Sequence, residues 1–140
     1  MREILFRGKA INRVEGREYR SDYKNGDWVY GLVTRLYYER YQLPAEMTNT
    51  KWIEGIEVDY KTIGQFTGLT DKNGMKIFEG DILEFDAYGK HFKGHVEIMS
   101  GNASVVCKNA CPFLDDAIEK YGAQIIGNIH DNPELIETEG

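Results

Sequence analysis

His91, His95, Cys107 and Cys111 are the residues of this chain best suited by type to hold a metal ion, since two imidazoles and two thiolates complete a tetrahedral zinc site. Their spacing works against it. On a strand, residues four apart lie about 13 Å from each other, whereas the ligands of one zinc all sit within ~2.3 Å of the ion. The expectation is no metal and no cofactor, with two histidines on an exposed strand face and two partly buried thiols. Glu79 and Asp81 flank Gly80 at period two and so share a face, which is the arrangement of a general acid/base pair. A hydrolase would have to be built from these two acids and the His91/His95 strand. An Asp directly after Gly at a strand start more commonly accepts backbone N–H bonds. The sequence has no nucleophile elbow, no Walker loop and no Rossmann glycine fingerprint, and no Ser or Cys stands in triad-like order with a His and an acid. No catalytic residue is assigned, and the chain is read as a protein that is not an enzyme.

Aromatic side chains are the more useful signal. Trp28, Trp52 and the tyrosines at 30, 37, 38 and 41 are more than one strand pair can hide. Of these, Trp28, Tyr37, Tyr38, Tyr41 and Trp52 are the candidate partner surface, because contiguous apolar patches on a protein surface mark association sites. Charge is uneven as well. Residues 1 to 24 carry seven basic and four acidic side chains, while the remainder carries ten and nineteen. Such a cluster speaks first to association, a basic face pairing with the acidic remainder in this molecule or in a neighbouring copy. The competing reading is a nucleic-acid contact through Arg7, Lys9, Arg13, Arg17 and Arg20. Around these residues only Phe6 and Tyr19 interleave as aromatics.

The elements that position these residues follow from turn chemistry and period. At 140 residues the chain makes one domain or two small ones, and 41% hydrophobic with 29% charged residues is ordinary for a folded protein. The net charge of −6 argues against a general phosphate-backbone binder. No apolar run approaches the ~20 residues of a membrane span, and the start Met1-Arg2-Glu3-Ile4-Leu5-Phe6-Arg7 lacks a signal-peptide stretch. The expectation is a cytoplasmic chain with both cysteines as thiols. Fifteen glycines, three prolines, nine Tyr and six Phe are the composition of a sheet protein. Trp28 to Val33 reads as a central strand, Tyr37, Tyr38 and Tyr41 lie on a return strand, and Lys51 to Val58 reads as a further strand. Asp71-Lys72-Asn73-Gly74 is a tight reversal, and Gly80-Asp81 starts a strand carrying Ile82, Leu83 and Phe85. His91 to Met99 alternates as a half-exposed strand, with Ala103 to Lys108 as its hairpin partner across Ser100-Gly101-Asn102. One helix is expected near 113–121: Leu114, Ile118 and Tyr121 form its stripe, acids come early, Lys120 comes late and Gly122 stops it. Ala123 to Ile129 returns to strand, and a last helical turn begins at Asn132-Pro133-Glu134-Leu135.

The motifs taken in order resemble a known family. Phe6-Arg7-Gly8-Lys9 and Trp28-Val29-Tyr30-Gly31 come first, followed by Val58-Asp59 and the most specific block, Thr62 to Ile82, with its Gly64-Gln65-Phe66-Thr67-Gly68-Leu69 and Ile77-Phe78-Glu79-Gly80-Asp81-Ile82. Ile126-Gly127-Asn128-Ile129-His130-Asp131-Asn132-Pro133-Glu134-Leu135 closes the series. The order and spacing are similar to the YopX family of small phage and prophage proteins. The chain departs from that family at Tyr60-Lys61, where Pro-Glu is common, and at His130, usually Tyr. The resemblance implies a mostly β, all-β or small α+β fold: an SH3-type β-barrel in the C-terminal half (59–140) and a smaller N-terminal β segment (1–58). It carries no established activity with it. The resulting expectation is an uncharacterised phage or prophage protein of the bacterial host cytoplasm. It would act as a non-catalytic interaction module and a homo-oligomer or partner of another protein, without a membrane role. The alternative is a nucleic-acid-associated regulatory factor using the basic N-terminal segment.

Overall fold

The computed structural model describes residues 4–11, 23–34 and 50–137. It is mostly β and divides into two compact units, Ile4–Gln65 and Phe66–Gly140.

In the first unit, β1 (Phe6–Lys9) pairs antiparallel with β2 (Trp28–Gly31), Arg7 opposite Tyr30 and Lys9 opposite Trp28. On its other side β1 meets the first two residues of β6 (Gly64–Thr70), with Arg7 opposite Gly64. A three-stranded sheet is built from β3 (Val33–Thr34), β4 (Thr50–Ile53) and β5 (Ile56–Asp59). Ala10, Val29, Ile53 and Val58 are buried together, and Phe6, Tyr23, Val33, Ile56 and Ile63 pack around them. Alternation explains which side faces in: Phe6 and Val29 go to the core while Arg7 and Lys9 take the opposite face of β1.

Two expectations change here. The stretch from Trp28 to Val33 is two strands in two sheets, because the chain turns at Gly31, where φ is +151° and a Cβ would lie 2.2 Å from Glu54 Cγ. Glu54 fills that space and its Oε1 accepts a hydrogen bond from Leu32 N–H. As a result β2 ends its sheet and is not central, and Tyr30 and Leu32 are 52% and 51% exposed. Lys51 to Val58 is a hairpin: Ile53 pairs with Ile56 across Glu54-Gly55, both at positive φ, the conformation of a two-residue primed turn. The return strand expected at Tyr37, Tyr38 and Tyr41 lies outside the described residues.

In the second unit, the rest of β6 forms a hairpin with β7 (Lys76–Phe78) across the expected reversal at Asp71–Gly74, where Gly74 N–H donates to Asp71 O at 3.0 Å. A four-stranded antiparallel sheet follows in the order β10-β9-β8-β11, made of β8 (Asp81–Ala87), β9 (Lys90–Met99), β10 (Asn102–Cys107) and β11 (Gln124–Asn128). The hairpin partner begins at Asn102, so its turn is Ser100-Gly101 alone. Helix α1 (Leu114–Tyr121) ends at Gly122 in the left-handed conformation, and its Leu114 and Ala117 are fully buried with Leu83, Val96, Val105 and Ala123. The last turn, α2, is Glu134–Glu137. Ile126 is an extra residue in β11, since Ile125 opposes Leu83 and Gly127 opposes Ile82.

Among the described residues the strand pairings do not close this sheet into the SH3-type barrel that the resemblance implies. Its β10 edge is occupied by the chain itself: Val105 N–H donates to Pro112 O and Cys107 N–H to Ala110 O, and Ser104 bridges Phe113. That edge is already partnered and offers no ladder for closure.

Candidate functional site

The Thr62 to Ile82 block is where its buried polar atoms can be counted. Asp71 is buried; its Oδ1 accepts N–H bonds from Asn73 and Met75 at 2.9 and 3.0 Å, and its Oδ2 accepts from Ile125 at 3.0 Å. One carboxylate thus holds the reversal shut and ties β11 to it. Thr67 donates to Ile77 O at 2.8 Å and accepts from Leu69 N–H, and Asp81 accepts from Phe78 N–H at 2.8 Å. Glu79 is half-buried beside it. These oxygens close turns and strand starts.

The histidines lie on the sheet face opposite Val96, as alternation requires. His91 is exposed and bridges two carboxylates of β8, its Nδ1 2.7 Å from Asp86 Oδ1 and its Nε2 3.2 Å from Glu84 Oε2. The hydrogen bond to Asp86, helped by the negative charges of Asp86 and Glu84, holds its pKa above the usual imidazole value of 6.5. Gln124 Nε2 donates to Glu84 Oε1. His95 lies further along β9, its Nε2 2.8 Å from Glu97 Oε1. Both His91 ring nitrogens face carboxylates, so neither presents a lone pair to a metal in this arrangement. Among the described residues, no three of His, Cys, Asp and Glu are grouped to hold a metal ion.

The two cysteines are kept apart by pleat. Because 105 bonds 112 and 107 bonds 110, Cys111 stands opposite Val106 while Cys107 belongs to the face of Val105. Cys107 accordingly packs against the core and Cys111 is exposed.

The candidate surfaces divide between the units. Arg7, Lys9 and Trp28, assigned from sequence to two different surfaces, come together: the Arg7 guanidinium carbon lies 4.6 Å and Lys9 Nζ 5.5 Å from the Trp28 ring centroid. Arg7 is buried, and Lys9 and Trp28 are half-buried. Trp52 is half-buried on β4. Tyr37, Tyr38, Tyr41, Arg13, Arg17 and Arg20 lie outside the described residues.

Sequence reasoning missed a third group. On the outer face of β9 and β10, Met99 is 47% exposed and Phe113 56% exposed, with Cys111 exposed beside Val106. Phe113 falls at the first position of the helix expected near 113–121, whereas it stands just outside the helix as its N-cap. Tyr88 was missed too. It sits at φ +54° in the β8–β9 turn, with its hydroxyl 3.0 Å from that of Tyr121.

The model of one protein family, described as YopX protein, matches residues 18–137. No curated protein matches the chain.

Proposed function

Since the chain belongs to the YopX family, we propose that it is a non-catalytic interaction module of a phage or prophage, working in the cytoplasm of the bacterial host and associating with itself. One observation carries this reading: Phe113 and Met99 stand about half exposed on the same outer face of β9–β10. Burying the exposed half of a side chain of that kind gains roughly 0.7–1.5 kcal/mol, and a two-fold interface counts each residue twice. The buried acids and hydroxyl of the Thr62 to Ile82 block support the non-catalytic part, because Asp71, Thr67 and Asp81 hold backbone groups.

Light scattering after gel filtration at micromolar concentration tests it. The expected result is a multimer that becomes monomeric in the Phe113→Ser/Met99→Ser double variant with an unchanged circular-dichroism spectrum. A wild-type chain that is monomeric throughout that range refutes self-association through this face.

A further inference from the structure

The face of β1 and β2 turned away from the Val29 core carries cations and rings in alternation. Arg7 and Lys9 occupy it from β1, and the residues directly opposite them on β2 are Tyr30 and Trp28. Neither strand shows the pattern alone, since the basic residues and the aromatic ones lie about twenty positions apart in the chain. Pairing supplies the aromatic interleaving that the basic N-terminal segment lacks.

The parts of this face differ in exposure, and exposure assigns their roles. Arg7 is buried with its guanidinium 4.6 Å from the Trp28 ring centroid, so it positions that indole. Lys9 is half-buried with Nζ 5.5 Å from the same centroid. Tyr30 is 52% exposed at the end strand of its sheet. Tyr30 stands directly opposite the buried Arg7 and diagonal to Lys9 on the same face, a separation of about 7–8 Å, and a ring and a cation so spaced match a nucleotide, which offers a flat base and a phosphate within one repeat. An acidic peptide would use the cation and leave the ring idle, and a duplex keeps its base faces stacked on one another.

The charge balance of the unit agrees. Ile4–Gln65 holds ten basic and nine acidic residues, whereas Phe66–Gly140 holds six and thirteen. The net −6 of the whole chain, which argues against phosphate binding, therefore belongs to the other unit.

We infer that the Arg7–Lys9–Trp28–Tyr30 face binds single-stranded nucleic acid, with a base stacked on Tyr30 and a phosphate paired with Lys9. This goes beyond the self-association reading and does not depend on it. The face lies in a different unit from Phe113 and Met99, so a monomeric chain leaves it standing.

The test is fluorescence anisotropy of a labelled short oligothymidylate titrated with the full chain at low salt. Binding is expected to saturate and to weaken as salt rises, with a duplex of equal length binding less well. Tyr30→Leu should weaken binding about fivefold or more, the scale of one lost stacked base, and Tyr30→Phe should restore it. Lys9→Gln should flatten the salt slope by about 0.7, the value of one single-strand phosphate contact. Thermal melts matching wild type establish that each variant is folded. The inference is overturned by no binding of wild type at low salt, by Tyr30→Leu binding as wild type does, or by polyglutamate competing as well as oligothymidylate.

Discussion

Removing the Asp71 carboxylate is the sharpest test of the claim that the Thr62 to Ile82 block is architectural. In Asp71→Ala three backbone N–H groups lose their acceptor at once: Asn73, Met75 and Ile125. Asn73 and Met75 are exposed in the turn, so water can replace the carboxylate there at a cost of about 0.5–1 kcal/mol each. Ile125 is half-buried in β11, and its amide loses a charge-assisted bond worth about 1.5–3 kcal/mol. The sum is a loss of roughly 2.5–5 kcal/mol, a large share of a small domain's stability. Asp71→Asn keeps one acceptor oxygen and turns an amide group toward a second donor, so about 2–3 kcal/mol is expected. Urea unfolding followed by far-UV circular dichroism measures both, with m-values compared so that the midpoint shift reports stability. Faster hydrogen exchange at the Ile125 amide localises the effect. If both variants lose less than about 1 kcal/mol, or Asn costs as much as Ala, the three-bond carboxylate is not what secures the block.

Two further perturbations probe the larger sheet. A Cβ at Gly94 would meet Val106 O at 2.5 Å and Cys107 Sγ at 2.8 Å, so Gly94→Ala must push β10 away at a cost of about 1–3 kcal/mol; an unchanged melting temperature would mean that the strands are spaced more widely. The hydrogen bond to Asp86, with the charges of Asp86 and Glu84, raises the His91 pKa in the folded chain, so its contribution is fully present below its unfolded pKa of 6.5 and is lost as pH rises through the higher folded value. His91→Ala should therefore lower the melting temperature slightly at acid pH and leave it unchanged at alkaline pH. NMR titration of the imidazole should give a midpoint above that of a free histidine, and a midpoint at or below 6.5 would remove the Glu84–Asp86 clamp.

What the sequence discloses about this protein depends on how local each determinant is. The β8–β9–β10 ladder and α1 are legible because strict alternation, a primed turn and a glycine stop each act within a few residues. The β4–β5 hairpin is hidden because its turn is Glu54-Gly55, with Glu where Asn or Asp would signal a positive φ. The break at Gly31 depends on Glu54 filling the space, a contact twenty-three positions away. For the same reason the ring-and-cation face of β1 and β2 cannot be seen from either segment alone. The cysteine question turns on register: only the bonds 105 to 112 and 107 to 110 reveal that Cys107 and Cys111 take opposite faces. The exposure of Phe113 on the outer face is equally non-local, since it follows from the bridge that sets it opposite Ser104 of β10.

That last placement supplies the most direct measurement. Cys111 is exposed on the Phe113 face, and Cys107 faces the core. Mild oxidation of the protein at micromolar concentration, resolved by non-reducing electrophoresis, should yield a covalent dimer. The dimer should disappear in Cys111→Ser, persist in Cys107→Ser and be suppressed by Phe113→Ser/Met99→Ser. A chain that remains monomeric while Cys111 reacts fully with a thiol reagent, or one that forms an internal Cys107–Cys111 disulfide, contradicts association through the outer face of β9–β10.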